Sequence, residues 1–456
     1  MRSKFVMTLA TLLAISMIGA VPSLAQDAPP DGKGPEATPG RPQVDVPEQS
    51  NRPRRHAPCV QGTAFIAELE GHELLETGAF PCDRVDLLSF FTNDEIGGGL
   101  FAPDGRGSDV WGWTDPETGR EYVLAGLEVG TSIIDITDPK RPVYLAHIPT
   151  SASNNLIWRD IKIYQDHAFI VAESSNHRMQ IFDLTRLRDL DPAGAPHTLT
   201  EDAIYDGFQR AHNIWINEDS GYAYAIGQRN DTMGCSQSLH MIDISDPLNP
   251  TFAGCYNEDG NIHDALCVNY EGPDARFTGR EICVLSSPGG PTGNTVTTVD
   301  VTDKSNPVTL SIAEYPDRQF SHQGAFVNGH RYYLHGIEST NRNPQAIEIF
   351  DFLSLTEPQH IGRFATPAQS THHNLYQADD GYVYMSNYSS GLRVLDVSNV
   401  AEGEIEEVGY FDVFPPDDDE GFGFGTWSNY PFFESGVVAV HGYQGLWLVK
   451  FRGGQS

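Results

Sequence analysis

Four histidines recur in this chain at a domain-scale interval. His212 in "AHNIW", His263 in "IHDAL", His322 in "SHQGA" and His373 in "HHNLY" lie 51, 59 and 51 residues apart. Each stands just before Asn, Asp or Gln and then an apolar stretch. Imidazole is a ligand for Zn, Cu, Fe or Ni, and a carboxylate such as Glu173 or Asp264 can complete or orient such a ligand set. The spacing matches no compact metal motif. It makes chemical sense only if a repeated fold brings the four together. The alternative is structural: polar side chains at a repeated position can simply hydrogen-bond neighbouring units or trapped water.

The elements that would position them repeat with the same period. An apolar run ending in Asp occurs as "SIIDITDP" (132–139), "MQIFDLTRL" (179–187), "LHMIDISDP" (239–247), "VTTVDVTDK" (296–304), "IEIFDFLSL" (347–355) and "LRVLDVSNV" (392–400), with "LWLVKF" (446–451) as a seventh. Alternation around the Asp marks strands with a buried face, and the residues after it are turn formers. Before each run lies a hairpin with a polar turn, such as "IWINEDSGYAYAIG" or "LYQADDGYVYMSN". A fourth strand, such as "PVYLAHIP" or "TFAGCY", usually follows. Seven four-stranded units of this length predict an all-β, seven-bladed β-propeller over 58–452 rather than a sandwich. The last unit lacks a fourth strand, while "VDLLSFF" (85–91) has no unit of its own. That N-terminal strand is expected to complete the last blade and close the ring, which removes two bare sheet edges.

In a propeller the first strand of each blade lines the central channel. Aligning the seven first strands gives two columns. The first holds Ser108, Arg159, His212, His263, His322, His373 and Trp427. The next holds Asp109, Asp160, Asn213, Asp264, Gln323, Asn374 and Ser428 or Asn429. Strand side chains alternate, so one column faces the channel and the other a neighbouring blade. The pattern leaves open which does which. Glu173 ends a second strand at the same face, as do Glu128, Gln228, Glu338, Asn387 and His441. Arg159 and Asp160 are read either as a salt-bridged pair or as an anion site with Arg as the fork donor. The acidic run Asp417, Asp418, Asp419 and Glu420 is either a Ca²⁺ loop or a solvated acidic loop without EF-hand spacing.

The apolar runs ending in Asp resemble the LVIVD repeat. The wider pattern resembles the choice-of-anchor B family of bacterial exported proteins. The resemblance rests on "FPCDRVDLLSFF", "GSDVWGWTDPETGREYVLAGLEVGTSIIDITDP", "WRDIKIYQDHAFIVAES", "SHQGAF", "HHNLY" and "FGTWSNYPFFESG", in order along 58–452. It implies a surface or secreted domain without a defined biochemical role. The ending "FRGGQS" departs from a C-terminal sorting tail, so a periplasmic or freely secreted protein is expected.

Export agrees with the first 25 residues. "MRSK" is a basic start, "FVMTLATLLAISMIGAV" a short apolar core, and Ser23 and Ala25 are small residues at a cleavage site. Residues 26–57 are rich in Pro, Gly and acids and read as a disordered tether; 453–456 are a tail. No later stretch is apolar enough to cross a bilayer. The formal net charge of −33 excludes nucleic acid and anionic lipid as partners. An extracellular ligand or protein is the expected partner, and a monomer the expected state. Six cysteines in an exported chain predict disulfides, with the local pairs Cys59–Cys82, Cys235–Cys255 and Cys267–Cys283 expected. No G-x-S-x-G, H-E-x-x-H, P-loop or C-x-x-C is present. Two functions therefore stay open: binding of a ligand, metal or protein at a His/Asp-rich channel mouth, or metal-dependent hydrolysis or oxidation there.

Overall fold

The computed structural model describes residues 55–453 except 71–76, 99–105, 155, 236, 291–292, 339–345, 369 and 417–423. The leader, the tether up to residue 54 and the acidic run Asp417–Glu420 lie outside the described residues.

The chain forms seven antiparallel four-stranded blades in a ring. The innermost strands are Gly107–Thr114, Arg159–Tyr164, Asn213–Asn217, Asp264–Asn269, Ser321–Val327, Leu375–Gln377 and Thr426–Tyr430. Each packs against the next, and the seventh packs against the first. The predicted seven-bladed propeller is therefore the fold. Its closure is also as expected: Val85–Thr92 pairs with Gly445–Phe451 and supplies the last blade's outer strand.

The sequence explains the blades locally. The middle strands are largely apolar and mostly buried, as in Glu121–Leu127. Outer strands alternate, as in Thr251–Tyr256, whose first residues are exposed and whose Gly254 and Tyr256 are buried with the half-buried Cys255 between them. The repeated Asp has one job in every blade that carries it. Asp135, Asp183, Asp243, Asp300, Asp351 and Asp396 each accept the backbone N–H two residues on, at 2.8–3.0 Å. This Asx turn ends the third strand and reverses the chain towards the fourth. An apolar core fills each of the seven gaps between blades, for example Trp447 with Phe411 and Val394, or Trp113 with Ile161 and Phe182.

Two additions lie outside the repeat. The hairpin of Thr63–Glu70 and Thr77–Asp83 extends the sixth blade by pairing Cys82 with Phe411 and Asp83 with Tyr410. His197–Thr198, from the long connection inside blade two, lies parallel to Val143–Pro149 of blade one. Ordered pairing begins at Ala57, which bonds to Leu87. The three disulfides are the three local pairs expected from the sequence. Cys59–Cys82 anchors the added hairpin. Cys267–Cys283 links directly opposed residues of one hairpin.

Candidate metal centre at the channel mouth

The first column splits: its histidines and Trp427 form an arc at the channel mouth, while Ser108 and Arg159 bond between blades one and two. His212, His263, His322 and His373, from blades three to six, stand side by side with ring centroids 4.5, 4.6 and 4.2 Å apart. Trp427 of blade seven continues the arc, 4.4 Å from His373. A cavity of about 190 Å³ opens here, lined by Trp158, Glu173, His212, His263, Glu338, His373 and Trp427.

Two of the four histidines are oriented by backbone. The Nδ1–H of His263 donates to the carbonyl of His322 at 3.0 Å. That of His373 donates to the carbonyl of Trp427. A carbonyl only accepts, so both rings are protonated at Nδ1 and present an Nε2 lone pair, as a metal ligand must. Burial pushes the pKa of His263 and His322 well below the usual imidazole range and that of His373 down to about 3. At neutral pH these three are uncharged donors. His212 differs. Burial opposes its charge, but the carboxylate of Glu173, 2.7 Å from its Nδ1, outweighs burial and raises its pKa.

Glu338, at the end of a second strand, completes the group. Its carboxylate oxygens lie 3.8 Å from His322 Nε2 and 3.9 Å from His373 Nε2. It also accepts a 2.7 Å hydrogen bond from the Tyr388 hydroxyl. Ligand atoms of His263, His322 and Glu338 all fall within 4.8 Å of one another. Burial raises the Glu338 pKa against that hydrogen bond.

The second column joins blades instead. Asp109 Oδ2 accepts from the Ile161 N–H at 3.1 Å, and Asp160 Oδ2 from the Ile214 N–H at 2.7 Å. Asn213 donates to the His263 carbonyl and to Asp264. Gln323 makes both backbone bonds to Leu375, and Asn374 donates to Ser428. Each side chain thus ties its blade to the next one's innermost strand.

Arg159 and Asp160 do not form the salt-bridged pair weighed from the sequence. Adjacent strand residues point to opposite faces. Arg159 Nε donates to the Leu127 carbonyl, and its Nη1 lies 2.6 Å from His177 Nε2. Asp160 is held by Lys162, two residues on and on its own face, at 2.5 Å. Lys162 also lies 3.6 Å from Asp109. Burial pushes Asp264 up to about 7, with the charge of Asp160 adding to the effect.

The site residues not singled out from sequence are Trp158 and Tyr388; Glu338 was placed at this face by its strand end, though not as a ligand. Glu338 ends "YYLHGIE" as Glu173 closes "HAFIVAE", and this shared position was the available signal. Trp158 precedes its strand, and Tyr388 sits in a turn with positive φ. Neither carries a sequence signal for the mouth. A second His/Asp/Cys group, Asp231, Cys235 and His240, has its cysteine bound to Cys255, so it is not a thiolate site.

No family model matches the chain, and no curated protein matches it. Solved structures are similar in fold. One is a COPII outer-coat vertex on membranes, 10% identical, covering 76% of this chain and 84% of that one with a TM-score of 0.50. A candidate 6-phosphogluconolactonase from Bacteroides fragilis is 11% identical over 67% of this chain and 85% of that one, TM-score 0.48. A protein of unknown function from Desulfotomaculum acetoxidans is 13% identical over 70% and 87%, TM-score 0.46. The class is the β-propeller, defined by the ring of seven four-stranded blades itself, and nothing finer follows from these likenesses.

Proposed function

We propose that the chain is an exported propeller of the LVIVD-repeat, choice-of-anchor B kind whose channel mouth binds a first-row transition metal. His263, His322, His373 and Glu338 are the ligands, and His212, braced by Glu173, flanks them. The observation that carries this reading is the gap of 3.8 and 3.9 Å between Glu338 and the neutral Nε2 atoms of His322 and His373, the second of which is oriented by the Trp427 carbonyl. That is too long for hydrogen bonds. It is close to the separation of two ligands on one ion, roughly 3.4 Å for a tetrahedral site with bonds near 2.1 Å. Three imidazoles and a carboxylate suit Zn, Fe, Cu or Ni and not Ca²⁺. Three disulfides support an oxidising compartment. The centre serves to bind an extracellular ligand. A second reading, a metal-dependent hydrolase or oxidase, is favoured by the cavity beside the ligand set, which has room for a reactant.

The test is the metal content of protein purified without a histidine tag. About one transition metal per chain is expected, and it should be lost in His263→Ala/His322→Ala while circular dichroism stays unchanged. A metal-free protein that also fails to take up zinc at micromolar concentration would sink the proposal.

A further inference from the structure

The arginines of this acidic chain are distributed unevenly. Most that the structure describes sit in ion pairs with Asp or Glu, among them Arg55, Arg120, Arg188, Arg276, Arg331 and Arg393. With 62 acids against 29 basic residues, an acidic partner is easy to find. Arg159, Arg178, Arg210 and Arg229 have no ion pair among the described residues, and Arg210 and Arg229 lie near Glu173, which lines the cavity.

Their proximity is set by backbone. Arg210 and Arg229 face each other across an isolated bridge, with the Arg229 N–H donating to the Arg210 carbonyl at 2.9 Å. The Arg178 N–H donates to the Gln209 carbonyl at 2.8 Å. Arg210 Nη1 reaches the Glu173 carbonyl at 3.4 Å. Glu173 and Trp158, which precedes Arg159, both line the cavity.

Arg159 adds a buried charge next to Trp158 of the cavity lining. Arg159 is 2% exposed, its Nη2 has no hydrogen-bond partner, and its neighbour His177 is held neutral by burial and by the Arg159 charge. A buried guanidinium without a carboxylate is costly unless its field is used. Glu173, whose carbonyl Arg210 touches, has its carboxylate already engaged by His212 and feels the Arg229 and Arg210 charges only at longer range. The edge of the cavity beside Glu173 is therefore a positive notch on a strongly negative molecule. Such a notch draws in anions that the rest of the surface repels.

We infer that the cavity takes a small anionic ligand, a carboxylate or phosphate group, gripped by Arg210 and Arg229 beside the histidine arc. This rests on the reading of that cavity as the binding site and names the class of ligand. Guanidinium forks match both groups through paired hydrogen bonds. Trp158 and Trp427 supply apolar walls for the rest of the ligand.

Calorimetric titration tests it with four probes of one shape: benzoate, phenyl phosphate, neutral benzamide and cationic benzylamine. Each is run on chelator-treated and zinc-loaded full-length protein. Benzoate and phenyl phosphate should bind both forms at least about tenfold tighter than benzamide, and benzylamine should not bind. Arg229 is exposed and its side chain has no hydrogen bond among the described residues, so Arg229→Gln leaves the fold intact. It should weaken the anions by about fivefold, the upper range for one exposed charge. Arg210→Gln/Arg229→Gln should bring them down to benzamide, whose own affinity is unchanged. Benzylamine binding as well as benzoate, no probe binding either form, or anion affinity indifferent to both variants would overturn the inference. Anions that bind only the zinc-loaded form and ignore the variants would also overturn it while leaving the metal reading standing. Anion binding by a protein that takes no zinc would sink the metal reading alone.

Discussion

Replacing Lys162 with methionine tests how the channel wall is held. Lys162 keeps its chain length in the variant but loses its charge. In the native protein its side chain is 6% exposed, against 2% for Asp109 and 9% for Asp160. At an effective dielectric of about 20, charges 2.5 and 3.6 Å apart attract by roughly 7 and 5 kcal/mol before desolvation is counted. Desolvating the ammonium takes back several kcal/mol, so the net loss is about 3–5 kcal/mol, as when one partner of a buried ion pair is removed. Burial already raises the Asp109 pKa against Lys162, whereas Asp160, buried as well, is held below the usual carboxylate range by Lys162 and its hydrogen bonds; without the lysine both rise. Asp109 in particular then stands above its unfolded value, so the penalty is greatest at pH 7 and shrinks as acid neutralises the carboxyls. Urea unfolding of both proteins at pH 7 and pH 5 measures this. A deficit under about 1 kcal/mol at pH 7, or one that does not shrink at pH 5, would refute the reasoning.

Other consequences follow from the same geometry. Burial holds His177 at about 3 and His441 at about 4, below the unfolded value of about 6.5. Each favours the folded state fully above pH 6.5. That contribution is lost as pH falls towards the folded values, on the order of 2 kcal/mol per histidine by pH 5. Melting temperature should therefore drop between pH 7 and 5, and less so in His441→Gln. The Cys267–Cys283 bridge closes a 16-residue separation, so Cys267→Ala/Cys283→Ala should cost about 3 kcal/mol by chemical denaturation. A chain beginning at residue 93 lacks the strand paired with Gly445–Phe451. It should aggregate on size exclusion, because the last blade then has a bare apolar edge.

The ring was readable because its period was carried by chemistry. An Asp that ends each third strand must recur where each chain reversal recurs. The closing strand was readable because "LWLVKF" ended a blade one strand short. The histidine arc followed from register alone, since first strands of successive blades begin at one face. What the sequence hid were contacts made between blades. Trp158 and Tyr388 reach the site from a loop and a turn, where no alternation points. The pairing of Asp160 with Lys162 needed only the rule that residues two apart share a face. The hairpin 63–83 joins blade six through two residue pairs, too few to leave a pattern.

The central claim is a metal held by His263, His322, His373 and Glu338. X-ray absorption at the edge of the metal found in tag-free protein tests it most directly. The account expects a shell of about three imidazole nitrogens and a carboxylate oxygen near 2.0–2.2 Å. Glu338→Gln should remove or lengthen the oxygen contribution. A shell of oxygen atoms only, or one unchanged when His263 and His322 are both replaced by alanine, would contradict it.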